Sequence, residues 1–371
     1  MEDKSQVLKS QKAKIDIWLL GATTLLVLIG LLVIYDASVV AAYRDFGDKL
    51  YYFKNQLIWA SLSFMALGFF SFFNYRKLLR LSLPIMGLAA LLLILVLIPH
   101  IGTEAYGAKR WINLGSFTFQ PSEFAKLAII FYAASIMVKF ENFKISLKDI
   151  ALVLFLPVFL LTFLVLVEPD LGTSLMFIGI AMVIYFVGRA PLWHFLMLVP
   201  VIVAAGVTAI ITQPYRLERL RSFIDPSYDP QGASYQISQI ITALSAGGLK
   251  GVGLGYSRSK FAFIPEVHSD AIFAVFVEEL GFIGAIFLIS LFLFLITRAL
   301  TIARQSPDYQ GKILAMGIVG LLSLQILFNL ASNVALVPLT GVPLPFISYG
   351  GSSLFVTMSA IGILLNIKRQ G

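Results

Sequence analysis

The sequence predicts an all-α polytopic integral membrane protein of about ten transmembrane helices. Its residues are 58% hydrophobic and 13% charged, and the mean hydropathy is +0.88. A soluble domain is about 45–50% apolar and about 25% charged, so this chain lacks the polar surface that a water-soluble globule needs. Long apolar runs also recur along all 371 residues.

Each long apolar run approaches the roughly 20 residues that a helix needs to cross a bilayer. The first is longer than the core of a signal peptide, so we interpret it as a retained helix. The predicted organisation is a single membrane domain, 1–371, with a tail at 1–14 and a large extracytoplasmic loop at 213–269 between spans seven and eight. The predicted spans are 15–35, 55–73, 80–99, 121–138, 149–167, 171–188, 192–212, 270–297, 312–334 and 348–367.

The distribution of Lys and Arg predicts the orientation. With a cytoplasmic N-terminus, the inside segments hold 16 of these residues and the short outside loops hold 5. Short cytoplasmic loops carry such an excess, so we expect both termini in the cytoplasm. The net charge of +8 is then mainly a topogenic signal, and nucleic acid is not an expected partner.

Two outside segments are unlike simple connectors. The loop 213–269 contains aromatic residues such as Tyr228 and Tyr235, which argues for order. Segment 335–350 contains three prolines, which cannot continue a regular helix. We expect it to fold back against the bundle, where protein or water satisfies its backbone.

Charged residues inside the predicted spans are candidates for function because they are costly at membrane depth. Glu123 and Lys126 are three residues apart, hence on one helix face, and we expect them to pair. Their role stays open between a salt bridge that joins helices and a polar face of a substrate cavity. Glu278 and Glu279 are either packing groups satisfied by neighbours or cavity residues.

The start of span eight has two interpretations. Ser269 and Asp270 are residue types that cap a helix N-terminus. Asp270 also lies beside His268 and Glu266 at the end of the long loop, where a carboxylate is well placed as a general base.

The turn between spans five and six contains Glu168 and Asp170. Two carboxylates there suit catalysis or a divalent ion such as Mg²⁺ or Mn²⁺, whereas Asp170 alone suits a helix cap. No metal ligand is assigned, and the chain has no cysteine.

Cations on the same side are either anchors for lipid headgroups or, together, ligands for an anionic lipid pyrophosphate. They include Lys109, Arg110, Arg216, Arg219 and Lys260.

The glycine-rich run 247–255 lacks the strand and helix context of a dinucleotide loop. We interpret it as a turn that lets backbone approach backbone or substrate.

Five motifs, in order along the chain, resemble the signatures of the SEDS family (shape, elongation, division and sporulation). They are Lys109–Ile112, Gln120–Lys126, Glu168–Thr173, Pro265–Asp270 and Pro343–Ser353. The similarity extends from about residue 15 to 368. The family usually has His-Thr-Asp-Phe where this chain has His268, Ser269, Asp270 and Ala271.

The resemblance implies a ten-span peptidoglycan glycosyltransferase that polymerises lipid II in the bacterial cytoplasmic membrane. It also implies a class B penicillin-binding protein as partner, with other membrane proteins of the division or elongation machinery. Asp270 is by resemblance the catalytic acid/base, and Glu123 and Lys126 line the central cavity. Segments 214–219 and 253–257 are more similar to the division-type branch than to the elongation-type branch.

Two other functions remain open at the level of sequence. A flippase for the lipid-linked precursor would need polar groups that continue to the cytoplasmic side. A non-catalytic scaffold would tolerate loss of the outer carboxylates.

Overall fold

The computed structural model describes residues 15–105, 108–113, 115, 117–143, 147–225, 228–229, 232–260 and 268–370. The predicted tail 1–14 and Glu266 lie outside these residues. The helices are α1 Ile17–Phe46, α2 Tyr51–Phe72, α3 Tyr75–Arg80, α4 Ser82–Leu97, α5 Pro121–Phe143, α6 Leu147–Val167, α7 Leu171–Val187, α8 Leu192–Ile211, α9 Pro214–Ile224, α10 Ala233–Gly247, α11 Ile272–Arg304, α12 Tyr309–Asn333 and α13 Gly351–Gln370. The strands are β1 Gly102–Ala105, β2 Ala108–Asn113 and β3 Thr118–Phe119.

A helix occupies the position of each predicted span, which confirms the polytopic all-α membrane fold. Six described helices are long and apolar enough to cross a membrane by length and composition: α1, α2, α8, α11, α12 and α13. Helix α8 lies at the periphery, where His194 is its one buried residue, whereas α13 is largely buried. Large apolar side chains such as Leu196 and Leu83 are exposed on the outside of the bundle, as a lipid-facing surface requires.

A small antiparallel sheet between α4 and α5 was not expected from the sequence. Its order is β1-β2-β3, and β2 pairs with β1 and with β3. The sheet carries Lys109 and Arg110 on β2. Because these strands have only two to six residues, their pattern was too short to predict them.

The glycine-rich run packs into a kink of α11. Gly281 has φ 68 and ψ −167 inside this helix, and the kink leaves main-chain groups for the loop to bind. Gly253 N donates to the carbonyl of Glu279 at 3.0 Å, and Phe282 N donates to the carbonyl of Gly248 at 2.9 Å. A Cβ on Gly251 would lie 2.0 Å from the Glu279 carbonyl oxygen. The predicted close approach of backbone to backbone is thus confirmed.

Segment 335–350, which we call the re-entrant segment, is non-helical, as its prolines predict, and is buried at residues 342 and 344–348. Leu344 and Ile347 are at most 1% exposed. Helix α1 packs against the segment at Gly30, where a Cβ would lie 2.2 Å from the carbonyl oxygen of Phe346. The second half of the segment therefore forms part of the bundle interior, at the end of the bundle that also holds Asp270. We call this end the Asp270 end.

Candidate active site at the Asp270 end

Asp270 lies in a turn immediately before α11. The N-cap of α11 is Ala271, and no side chain caps the helix, so the interpretation of Ser269 or Asp270 as its cap is wrong. Asp270 is half-buried. Its carboxylate lies against the re-entrant segment, because a Cβ on Gly341 would lie 3.6 Å from Asp270 Oδ2.

The main chain of this turn is held by donors from segment 335–350. Tyr349 N donates to the carbonyl of His268 at 2.9 Å. Ser348 Oγ donates to the carbonyl of Ser269 at 2.6 Å and accepts from Leu344 N at 2.8 Å. The turn and the re-entrant segment therefore support one another.

Helix α12 supplies a polar face that the sequence analysis missed. Asn329 Nδ2 and Asn333 Nδ2 both donate to the carbonyl of Asp270, at 3.2 and 2.9 Å. Gln325 Nε2, one turn earlier, donates to the carbonyl of Pro343 at 3.1 Å. The sequence did contain a signal for this face, because the three amides recur every four residues within an apolar span and so share one side of the helix. Polar groups are costly at that depth.

His268 is enclosed by aromatic rings. Its ring centroid lies 4.2 Å from that of Tyr52 and 5.4 Å from that of Tyr349. Burial lowers the pKa of His268 to about 4, against the opposing charge of Asp45. The imidazole is therefore neutral near pH 7, and it belongs to the same turn as Asp270.

Glu123 and Lys126 form the predicted pair. Lys126 Nζ lies 2.7 Å from Glu123 Oε1, and the two side chains are 1% and 3% exposed. Residue Gln120, just before α5, donates its main-chain N–H to Ser352 Oγ of α13 at 3.0 Å. The pair lies in the first turns of α5, whose start this bond ties to α13. That the pair lines a substrate cavity stays a prediction.

The cap interpretation of Asp170 is confirmed. Its carboxylate accepts from Thr173 N at 3.0 Å and from Thr173 Oγ1 at 2.9 Å. Arg110 donates to the carbonyls of Glu168 and Pro169, and its Nε lies 3.9 Å from Asp170 Oδ2. Arg110 therefore braces this turn.

Glu168 is fully buried, and neither of its carboxylate oxygens has a hydrogen-bond partner among the described residues. Burial, followed by the charge of Asp170, raises the pKa of Glu168 to about 9, although Arg110 opposes the shift. Glu168 is neutral near pH 7. Glu168 and Asp170 are thus not a pair of free carboxylates, and within the described ranges no group of three or more His, Asp or Glu side chains is placed to hold a metal ion.

Two of the predicted pyrophosphate ligands bind main-chain carbonyls. Arg216 is buried and donates to Ala209 O at 2.9 Å and to Leu166 O at 2.8 Å. Arg219 donates to Leu339 O at 3.1 Å and is half-buried. Arg216 therefore joins the ends of α6 and α8, and Arg219 ties α9 to the re-entrant segment.

Lys260 lies in a buried ionic cluster rather than at an open surface. Its Nζ is 2.9 Å from Asp36 Oδ1 and 3.4 Å from Glu279 Oε1. Glu278 accepts from Ser257 Oγ at 2.6 Å. The interpretation of Glu278 and Glu279 as packing groups satisfied by neighbours is confirmed. The predicted role of Lys260 as a pyrophosphate ligand has no support in these contacts, because two carboxylates balance its charge and it is only 7% exposed.

The helical bundle, its lipid-facing surface and the polar groups gathered at the Asp270 end define a polytopic membrane protein with a candidate site at one end. Residues 17–371 match the family described as "Cell cycle protein", which comprises FtsW, RodA and SpoVE. The chain belongs to this family, the SEDS family that its motifs resemble.

Similar proteins match over nearly the whole chain. The stage V sporulation protein E of Bacillus subtilis (strain 168) is 38% identical over 97% of this chain and 98% of its own length. A probable peptidoglycan glycosyltransferase FtsW of Trichlorobacter lovleyi is 38% identical over 96% of this chain and 93% of its own length. A solved structure is also similar, and its description is "Structural coordination of polymerization and crosslinking by a peptidoglycan synthase complex". Its TM-score is 0.77 at 28% identity, and the match covers 96% of this chain and 98% of that one.

Proposed function

We propose that this protein is a peptidoglycan glycosyltransferase that polymerises lipid II into glycan strands at the outer face of the bacterial cytoplasmic membrane, with both termini in the cytoplasm. The observation that carries the proposal is the placement of Asp270. Its carboxylate projects from a turn that α12 and segment 335–350 hold in place. The names of the curated relatives support the same activity.

Asp270 acts as the general base in this proposal. It accepts the proton of an acceptor sugar hydroxyl while that oxygen attacks the anomeric carbon of the donor. A new glycosidic C–O bond forms, the bond from the anomeric carbon to the lipid pyrophosphate breaks, and the pyrophosphate leaves with the electron pair. Because this leaving group is already an anion of low basicity, a second carboxylate acid is less necessary than in glycosidases.

The contacts divide the predicted cations into two groups. Arg110, Arg216, Arg219 and Lys260 are engaged with main-chain carbonyls or carboxylates, so their proposed role is structural. Lys109 is half-buried and remains our candidate for the pyrophosphate.

An apolar cavity between α6, α7 and α8 suits the lipid chain of the substrate. Its lining includes Phe159, Phe163, Leu171, Leu175, Val201 and Ile202. The lining includes Leu171, which is next to the turn that contains Glu168 and Asp170. A lipid chain in this cavity would place its headgroup at the Asp270 end.

The proposed partner is a class B penicillin-binding protein that crosslinks the glycan strands. A structural neighbour described as part of a peptidoglycan synthase complex supports this pairing. Within the family we propose septal wall synthesis in cell division, with wall elongation as the alternative.

The test uses purified protein in nanodiscs with lipid II, with and without the transpeptidase partner, and measures glycan strands. Asp270→Ala is expected to make no glycan while remaining folded. The matched control is Asp48→Ala, which removes an exposed carboxylate near the start of α2 and is expected to leave the rate unchanged. Glycan synthesis by Asp270→Ala at the wild-type rate would refute the role of Asp270. Transfer of lipid II across liposomes without polymer, by the wild type, would instead support a flippase.

A further inference from the structure

The carbonyl of Asp270 is an acceptor for two buried amides of α12. Asn333 Nδ2 also lies 3.0 Å from Asn329 O, and Asn329 Nδ2 also donates to Val342 O at 2.9 Å. Both asparagines are 0% exposed. Each amide thus connects the turn before α11 to a second main-chain group that is itself fixed.

The turn needs these external donors because residues 268–270 precede the main-chain hydrogen bonds of α11, which begin with Ala274 N to the carbonyl of Ala271. The carbonyls of residues 268, 269 and 270 accept instead from Tyr349, Ser348 and the two asparagines respectively. Among these three carbonyls, and within the part of the chain that the structure describes, only that of Asp270 accepts hydrogen bonds from two side chains. Fixing this carbonyl restrains the Cα of Asp270 and hence the direction of its carboxylate.

We propose that Asn329 and Asn333 are positioning residues for the glycosyltransferase reaction, which hold the carboxylate of Asp270 at the acceptor hydroxyl through its main-chain carbonyl. This inference rests on the proposed function. Neither asparagine touches the reacting atoms in this role. Their loss therefore affects the chemical step rather than the binding of lipid II.

The matched control is Gln325. It lies on the same face of α12, is 1% exposed, and donates to Pro343 O and to Ser353 Oγ rather than to the turn 268–271. Loss of its amide likewise removes two hydrogen bonds of α12, one to segment 335–350 and one to α13. It leaves both donors to Asp270 in place.

The experiment measures kcat and KM for lipid II polymerisation, with the penicillin-binding partner present, for Asn333→Ala, Asn329→Ala and Gln325→Ala. A displacement of about 1 Å at a reacting group costs about 100-fold in rate, so we expect kcat to fall by about 10- to 100-fold in both asparagine variants. KM should remain within about threefold. Gln325→Ala should retain kcat within about threefold.

Asn333→Ser serves as a milder variant if Asn333→Ala does not fold. A helical serine can bond to the carbonyl four residues earlier, which here is Asn329 O, but its side chain is shorter than the one that reaches Asp270. We expect it to remain folded and to lose kcat as Asn333→Ala does.

Three results would overturn the positioning role: wild-type kcat in the asparagine variants, an equal loss in Gln325→Ala, or a loss that appears in KM alone. Asp270→Ala, assayed in parallel, separates this inference from the proposed function. If Asp270→Ala is inactive while the asparagine variants are fully active, only the positioning role fails. If Asp270→Ala is active, the proposed function of Asp270 fails.

Discussion

The buried pair Glu123–Lys126 yields a quantitative prediction about coupled charges. Its atoms are 2.7 Å apart and its side chains are 1% and 3% exposed. Removal of one partner from a buried pair leaves an uncompensated charge, which costs about 3–5 kcal/mol. We therefore expect Glu123→Ala and Lys126→Ala each to destabilise the protein by about this amount.

The double variant should be less unstable than the two single losses together, because it leaves no unmatched charge. The expected coupling free energy is about 2–4 kcal/mol from the same reasoning. The assay is a double-mutant cycle on the free energy of unfolding in mixed micelles, with thermal midpoints as a second measurement.

An exposed pair of the same chemistry provides the control. Lys54 Nζ lies 2.7 Å from Asp48 Oδ2, but the side chains are 58% and 42% exposed. Water screens such a pair, so its cycle should show coupling close to the measurement error. If the cycle at Glu123 and Lys126 gives no more coupling than this exposed pair, the argument from burial is wrong.

Three further predictions concern the Asp270 end and the α11 kink. Burial raises the pKa of the Glu168 carboxyl to about 9, so between pH 5 and 9 the folded wild type binds more protons than the unfolded wild type and loses stability as the pH rises. In thermal melts, Glu168→Gln should therefore become more stable relative to the wild type from pH 5 to 9. A difference that does not change with pH would contradict this. The imidazole of His268 has a pKa of about 4 in place of 6.5, so this group alone should cost the wild type about 3 kcal/mol as the pH falls from 7 to 4, and His268→Gln should become more stable relative to the wild type over the same melts. Gly251→Ala should lower the thermal midpoint strongly, because φ is +79 and the added Cβ would lie 2.0 Å from a carbonyl oxygen of α11; Gly21→Ala, where nothing lies within 4 Å, should not lower it.

Three features followed from the sequence because they depend on local or compositional physics. The apolar runs determined the helices of the bundle, since a chain in lipid must satisfy its backbone within each helix. The spacing of Glu123 and Lys126 determined their pairing, because residues three apart on a helix are neighbours whatever surrounds them. The capping of α7 by Asp170 is likewise local.

The partners of the remaining site residues were decided by tertiary structure. Lys260 pairs with Asp36, which is 224 residues away, and Asn333 reaches Asp270 from α12. Hydrogen bonds and ion pairs act over a few ångströms, so a cation's partner depends on which elements the fold brings together and not on its neighbours in the chain. The sequence showed which residues are costly to bury, and only the packing of the helices decided which of them satisfy one another.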